Sequence, residues 1–318
     1  MKHNSIIVAI GLTLAGVLSA APAQAQNARS FVSPTGSDAA ACTLAAPCRT
    51  FAVAYAVTNA GGEIAVLGTA GYGALTINKA ISIVNGGGFE AGITVPSGGT
   101  GIVINAGTND AVSLRGLSID GAGVGTTGIQ FNIGASLTVE NCVIRNVTNN
   151  GIDFLSSAGA TLFVSNTLVA YSGEVGINVS PSSGFTVGYQ VRATLNRVEA
   201  INNNYGISVN GSDSIGTVRA TVSESLAHSN TYAGFYVATA SSSTAPTTLM
   251  VFHSVASNNV TGLQAEGYTG ATLLVAQSTV TGNTNGWTAT GGVVQSYGDN
   301  YIDGNTTDQV APPSIPRK

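Results

Sequence analysis

Charge is scarce in this chain. Charged residues make up 8% of its 318 residues, about a third of the share in an ordinary soluble domain. The 11 Lys plus Arg stand against 15 Asp plus Glu, for a formal net charge of -4, and no basic run occurs. That excludes the electrostatic footprint of a nucleic-acid or anionic-membrane partner. The 3 cysteines and 3 histidines include no group with metal-ligand spacing, so neither a metal nor another cofactor is expected. Disorder is excluded as well, because 44% of the residues are hydrophobic and disordered chains bury too little apolar surface to fold.

Long apolar runs are missing too. The stretch Ile6 to Leu18 is too short to span a bilayer, and no later run reaches the length of a membrane span. It follows Lys2 and precedes the small-residue site Ala23-Gln24-Ala25, which is the layout of a secretory signal peptide over residues 1–25. The expected location is therefore secreted or periplasmic, with the mature chain starting near Gln26. Export permits a disulfide, and Cys42 and Cys48 flank the short loop Thr43 to Pro47 that a bridge would close. Cys142 is left over as a small inward-facing hydrophobe.

What the chain has in abundance is a repeat. Each unit places two apolar residues at period two, a small residue three positions on, and a further apolar residue two positions after that. Well-aligned copies are Leu137, Val139, Cys142 and Ile144; Ala193, Leu195, Val198 and Ala200; and Leu249, Val251, Ser254 and Ala256. A glycine then precedes another apolar pair, as in Gly151 with Ile152 and Phe154, or Gly206 with Ile207 and Val209. Period two implies strands, and units of about 25 residues are too short to own separate cores. The economical solution is an all-β parallel β-helix, a solenoid in which inward residues pile on their equivalents about 4.8 Å away. Asn203, Asn230, Asn259 and Asn283 share one turn position and predict an asparagine ladder.

Open solenoid ends expose strand edges, so caps are required. Thr50 to Asn59 predicts a short N-terminal capping helix stopped by Gly61-Gly62. Trp287 falls in an inward column near the last coils. The organisation expected is a leading segment over 26–62, the β-helix over 63–306, and a proline-rich tail over 307–318.

Together with this repeat, the segments Phe31-Val32-Ser33-Pro34-Thr35-Gly36-Ser37-Asp38 and Pro47-Cys48-Arg49-Thr50-Phe51 resemble the pectate-lyase-like right-handed parallel β-helix superfamily over about residues 29 to 306. The resemblance implies polysaccharide binding along a groove on one face. It carries over no catalytic residue. A lyase of this superfamily needs a Lys or Arg base and an acidic calcium cluster, but Lys79 is the one lysine between the signal peptide and the tail, and no compact Asp cluster has calcium-ligand spacing. The polygalacturonase segments are missing as well.

The candidate site is a polar column just before the small inward residue: Asn141, Asn166, Arg197, Glu224, His253 and Gln277. Stacking places Glu224 about 5 Å from Arg197 and from His253, with Glu199 one coil back. Glu224 and Glu199 are candidates for acid and base in glycoside cleavage, with His253 tuning them and Arg197 beside them; the structural alternative is a ladder of solvated charges. Tyr205, Tyr232 and Tyr236 are candidate sugar-stacking residues. Longer coils add residues at Ser180 to Val187, Asn210 to Thr217 and Ala238 to Thr247, an expected wall beside a binding face. The Gly123-Val124-Gly125-Thr126-Thr127-Gly128 run fits a dinucleotide fingerprint, but period two continues after it, so a turn is expected. The leading expectation is an exported monomeric scaffold facing polysaccharide or the cell envelope; the alternative is a polysaccharide lyase or glycoside hydrolase acting on an acidic polysaccharide.

Overall fold

A computed structural model describes residues 27–182, 188–212, 216–240, 246–268, 270–307 and 310–317. The expected signal peptide, and the parts of the three longer coils at 183–187, 213–215 and 241–245, lie outside the described residues. The described chain is a parallel β-solenoid of about 9 turns, 55% strand with one short helix.

Each repeat lays down strand in three places, the first two joined into one strand in Ala160–Ala170 and Gln190–Ile201. In one turn these are Ser136–Glu140, Val143–Arg145 and Ile152–Phe154. Equivalent strands pair in parallel from turn to turn and build three rows. In the first row, Leu137, Leu162, Ala193, Ala220, Leu249 and Leu273 are successive register partners. In the second, Ile144, Val169, Ala200, Ala227, Ala256 and Val280 are partners. In the third, Ile129, Ile152, Ile177, Ile207, Phe235, Leu263 and Trp287 follow one another. Apart from the half-buried Trp287, these files are buried. Each full burial of a Val, Leu or Ile contributes about 1.5 to 3 kcal/mol, so the files hold the scaffold together with little help from charge. The run at Gly123 to Gly128 leads into the strand Thr127–Ile133, a turn followed by period two.

The small inward residue has a reason beyond volume. Ser225 Oγ accepts the Val198 N–H at 3.1 Å and donates to Ser223 O at 2.7 Å, and Ser254 and Ser278 repeat the arrangement one and two turns on. A hydroxyl ladder therefore runs inside the bend between first and second rows, where strand pairing lapses and backbone donors need another acceptor. Cys142 continues the file at the other end; its thiol is pushed up to about 11 by burial, so it stays protonated and inert. The next turn holds the asparagine ladder, Asn203, Asn230, Asn259 and Asn283, extended by Asn305. The glycine opening the third row is set by close approach: a Cβ on Gly206 would lie 2.6 Å from Gly234 O and 2.9 Å from Asn230 Nδ2.

Both ends are covered. The helix spans Phe51–Val57, with the Thr50 hydroxyl accepting from Val53 N at its start and Phe51 and Ala54 buried. It stops at Thr58, earlier than the glycine pair expected from sequence. Thr58 is claimed by tertiary structure: its buried hydroxyl donates to Ala54 O at 2.6 Å and shares a 2.8 Å hydrogen bond with the Ser30 hydroxyl, and its backbone opens the strand Thr58–Val66. Lys79 Nζ donates to Tyr55 O and Thr58 O at the helix end and sits 4.4 Å from the Tyr55 ring. The Cys42–Cys48 disulfide closes its loop beside the first strand. At the far end the proline-rich tail lies on the last coil, with Ser296 N donating to Pro313 O and Trp287 Nε1 to Val310 O.

Candidate functional site

The polar column marks a sharp bend. Asn141, Asn166, Arg197, Glu224, His253 and Gln277 each have positive φ, from 45° at Asn166 to 53° at Asn141, and the equivalent Gly116 has φ 71°. One left-handed residue per turn folds the first row into the second. Asparagine and glycine adopt this conformation at least cost, while other side chains lose about 1 kcal/mol or more. A second left-handed file ends the second row: Asn146, Tyr171, Asn202, Ser229, Asn258 and Gly282. Strand bonding continues through it, since Asn146 N donates to Ala170 O and Tyr171 N to Ile201 O.

Between these two rims the short second row forms the floor of an open trough along the helix axis. Ser118, Val143, Leu168, Glu199, Leu226 and Val255 succeed one another in register on its outer side. Two hollows occupy it. One of about 710 Å³ is lined by the corner residues Asn141, Asn166, Arg197 and Glu224 and by Val143, Leu168, Glu199 and Leu226. The other, about 570 Å³, continues the same face past Ser118, Asp120, Arg145 and Asn146 to Glu90.

Within the trough the structure brings Arg197 and Glu224 together: Arg197 Nη1 lies 3.2 Å from Glu224 Oε2, and Arg197 Nε donates to Asn166 Oδ1 at 2.6 Å. Both side chains are more than half exposed, so the pair itself adds little stability. Glu199 stands on the floor between Leu168 and Leu226 in register. His253 follows Glu224 along the rim, but its ring lies on Phe252 with centroids 4.1 Å apart. In the second hollow Arg145 Nε binds Asp120 Oδ2 at 2.9 Å. Burial tends to raise the Asp120 carboxyl, yet hydrogen bonds from Ala122 N, Asn146 and Arg145 outweigh it and hold the group below its usual range.

The three tyrosines converge elsewhere, on the third row. Tyr205 packs against Tyr232 and Tyr236 with centroids 4.6 and 4.9 Å apart. Their hydroxyls turn toward protein: Tyr236 donates to Glu266 Oε2 at 2.8 Å and Tyr232 to Glu266 Oε1 at 3.3 Å. Burial, reinforced by Tyr232 and Glu266, pushes the Tyr205 phenol up to about 12 and the Tyr236 phenol higher still. All three are thus tied into one carboxylate-centred cluster on a different face from the trough.

Sequence reasoning missed Tyr171. It is 58% exposed and falls in the far rim, on the turn whose corner is Asn166. Its sequence signal was faint, because that rim position varies among Asn, Ser, Gly and Tyr. Lys79, the lone candidate lyase base of its type, is engaged at the N-terminal cap, where burial lowers its ammonium pKa. Among the described residues no group of three or more His, Cys, Asp or Glu is placed to hold a metal ion.

No known family model matches the chain, and no curated protein matches it. Solved structures do. The chain is similar to pectate lyase Pel9A, at 14% identity over 86% of this chain and 80% of that one, with a TM-score of 0.56. Weaker similarities link it to the A-module of the Azotobacter vinelandii mannuronan C-5 epimerase AlgE4 (14% identity, 81% of this chain, 91% of that one, TM-score 0.40) and to a rhamnogalacturonan lyase (13% identity, 89% and 88%, TM-score 0.38). The architecture of this chain is that of the pectate-lyase-like parallel β-helices.

Proposed function

We propose that this protein is an exported β-helix scaffold that binds an extended polysaccharide along the trough of its second strand row. The observation that carries the reading is the alignment of the two hollows on one file of outward positions, from Gly92 through Ser118, Val143, Leu168 and Glu199 to Leu226. Five register steps of about 4.8 Å give a path of about 24 Å, long enough for several sugar rings. Polar groups on both rims suit hydroxyl recognition, and the structural likeness to a pectate lyase supports a polysaccharide as the ligand class. The disulfide, and the lack among the described residues of a helix long and apolar enough to cross a membrane, fit an extracellular or periplasmic location.

A second reading, glycoside hydrolysis by Glu224 and Glu199, is favoured by one observation. Arg197, Glu224, His253 and Gln277 hold costly left-handed conformations where Asn141 and Asn166 show the cheaper choice. Strain of this kind collects where side-chain chemistry is needed. One experiment separates the readings: titrate the protein with polygalacturonate, polymannuronate and neutral glycans, and assay the same mixtures for reducing ends and unsaturated products. Binding without turnover, lost on Leu168→Glu in the trough floor, supports the scaffold. Turnover abolished by Glu224→Gln supports the hydrolase. A folded protein that binds none of the glycans refutes both.

A further inference from the structure

We infer that the trough takes a polysaccharide lacking carboxylates, and that Tyr171 is the residue on which one of its sugar rings stacks. This rests on the proposal that the trough holds a glycan and goes beyond it in naming the class and the contact.

Charge carries the first half. The residues lining the two hollows include four carboxylates, Glu90, Asp120, Glu199 and Glu224, and two guanidinium groups, Arg145 and Arg197. Both guanidinium groups are already paired, with Asp120 and Glu224. That leaves Glu90 and Glu199 to set the sign of the surface, in a chain whose formal charge is -4. A polyuronate laid along this path would bring a carboxylate to nearly every step of a negative surface, a repulsion strongest at low ionic strength. A polymer of hydroxyls meets no such barrier and finds donors and acceptors on both rims.

Conformation carries the second half. Tyr171 has φ 56° and its side chain is largely in solvent. A bulky residue in the left-handed region is a real outlier, and an exposed ring gains little from burial to offset that cost. Neighbouring turns show the low-cost solution, with Asn146 and Asn202 on either side of Tyr171 in the same file. Tyr171 belongs to the same turn as Leu168 and Asn166, so along the chain the floor residue Leu168 comes between it and the Arg197–Asn166 contact on the opposite rim. A tyrosine kept there against its backbone preference supplies what asparagine lacks: a flat apolar face on the rim of the trough, the surface that stacks on a pyranose ring.

Tyr171→Asn tests this, because stability and binding are expected to move in opposite directions. Relief of strain should raise the Tm by about 1 to 3 °C, while affinity for a neutral glycan such as galactan or xylan falls about tenfold. Tyr171→Phe should retain the affinity, since the ring and not the hydroxyl makes the contact. Wild-type protein should bind the neutral polymer more tightly than polygalacturonate at low salt, with the gap narrowing as salt is added. Unchanged affinity in Tyr171→Asn, or tighter binding of polygalacturonate than of every neutral glycan, would overturn the inference and leave the trough proposal standing. No binding of any glycan by the wild type would remove the trough proposal itself.

Discussion

Asn230 is joined to Asn259 twice: its side-chain amide donates to Asn259 Oδ1 at 2.8 Å and its backbone N–H donates to the same oxygen at 2.9 Å. In turn Asn230 Oδ1 accepts from Asn203 N at 3.0 Å, and Asn230 Nδ2 donates to Ala200 O at 3.1 Å. One buried amide thus satisfies two backbone groups on the turn before it and the Asn259 side chain on the turn after it. Asn230→Ala is expected to cost roughly 2 to 4 kcal/mol, because several buried partners lose their bonds together. Denaturant unfolding measures this; a loss below about 1 kcal/mol would mean that water replaces the amide.

Ser225→Ala should behave as a smaller version of the same defect. Val198 N loses the hydroxyl acceptor 3.1 Å away, and an orphaned buried donor costs roughly 1 to 3 kcal/mol. Native-state hydrogen exchange would show the Val198 amide accelerated more than the amides of Val222 and Val251, whose strand pairing is untouched.

Much of this scaffold was legible from spacing alone, because stacked turns force equivalent positions to share chemistry. Leu162, Ala193 and Leu249 sit inward as the period-two pattern implies, and Cys42 bridges Cys48. The early turns were harder to read: Gly86, Gly87 and Gly88 interrupt the pattern just after Ile81–Val84. The candidate column was legible as a line of polar residues but not as a bend, since the left-handed conformation of Arg197 or Glu224 has no signature in residue type. The tyrosines were visible as neighbours, yet only side-chain geometry reveals Glu266 between their hydroxyls.

Glu224→Gln is expected to leave stability within about 0.5 kcal/mol of wild type. The ion pair to Arg197 is exposed on both sides, and the entropy of holding two long side chains offsets most of the attraction. Any loss of glycan binding or turnover in this variant then reports on the ligand and not on folding. A drop of 2 kcal/mol or more in urea unfolding would contradict this and make the corner column part of the scaffold's support.

The tyrosine cluster predicts alkaline sensitivity. The Tyr205 phenol is raised to about 12 by burial, then by Tyr232 and Glu266, and Tyr236 is raised further. In the unfolded chain both ionise near pH 10. Phenolate formation therefore favours the unfolded state first: the stabilisation is complete below about pH 10 and is lost as pH rises toward the folded values. Thermal melts from about pH 8 to 12 should show Tm falling above pH 10, with a smaller fall in Tyr236→Phe. A wild-type Tm that is flat across that range would contradict the shifts.

Reduction of Cys42–Cys48 should loosen the N-terminal cap and leave the coils intact. The bridge spans a sequence separation of 6, and closing so short a loop stabilises by about 2 kcal/mol. That energy is local, because the loop's ends are bonded to the first strand, Asn27–Val32, and the residue after it: Phe31 N donates to Cys42 O at 2.8 Å and Ser33 N to Cys48 O at 2.9 Å. Hydrogen exchange after reduction should accelerate at Phe31 and Ser33 and at the helix Phe51–Val57, which packs on the first strand. Protection at Leu195 and Val222, inside the middle turns, should persist, since repeat proteins distribute stability turn by turn. Uniform acceleration along the chain would mean instead that the cap controls unfolding of the whole solenoid, and that the first exposed edge unzips every turn behind it.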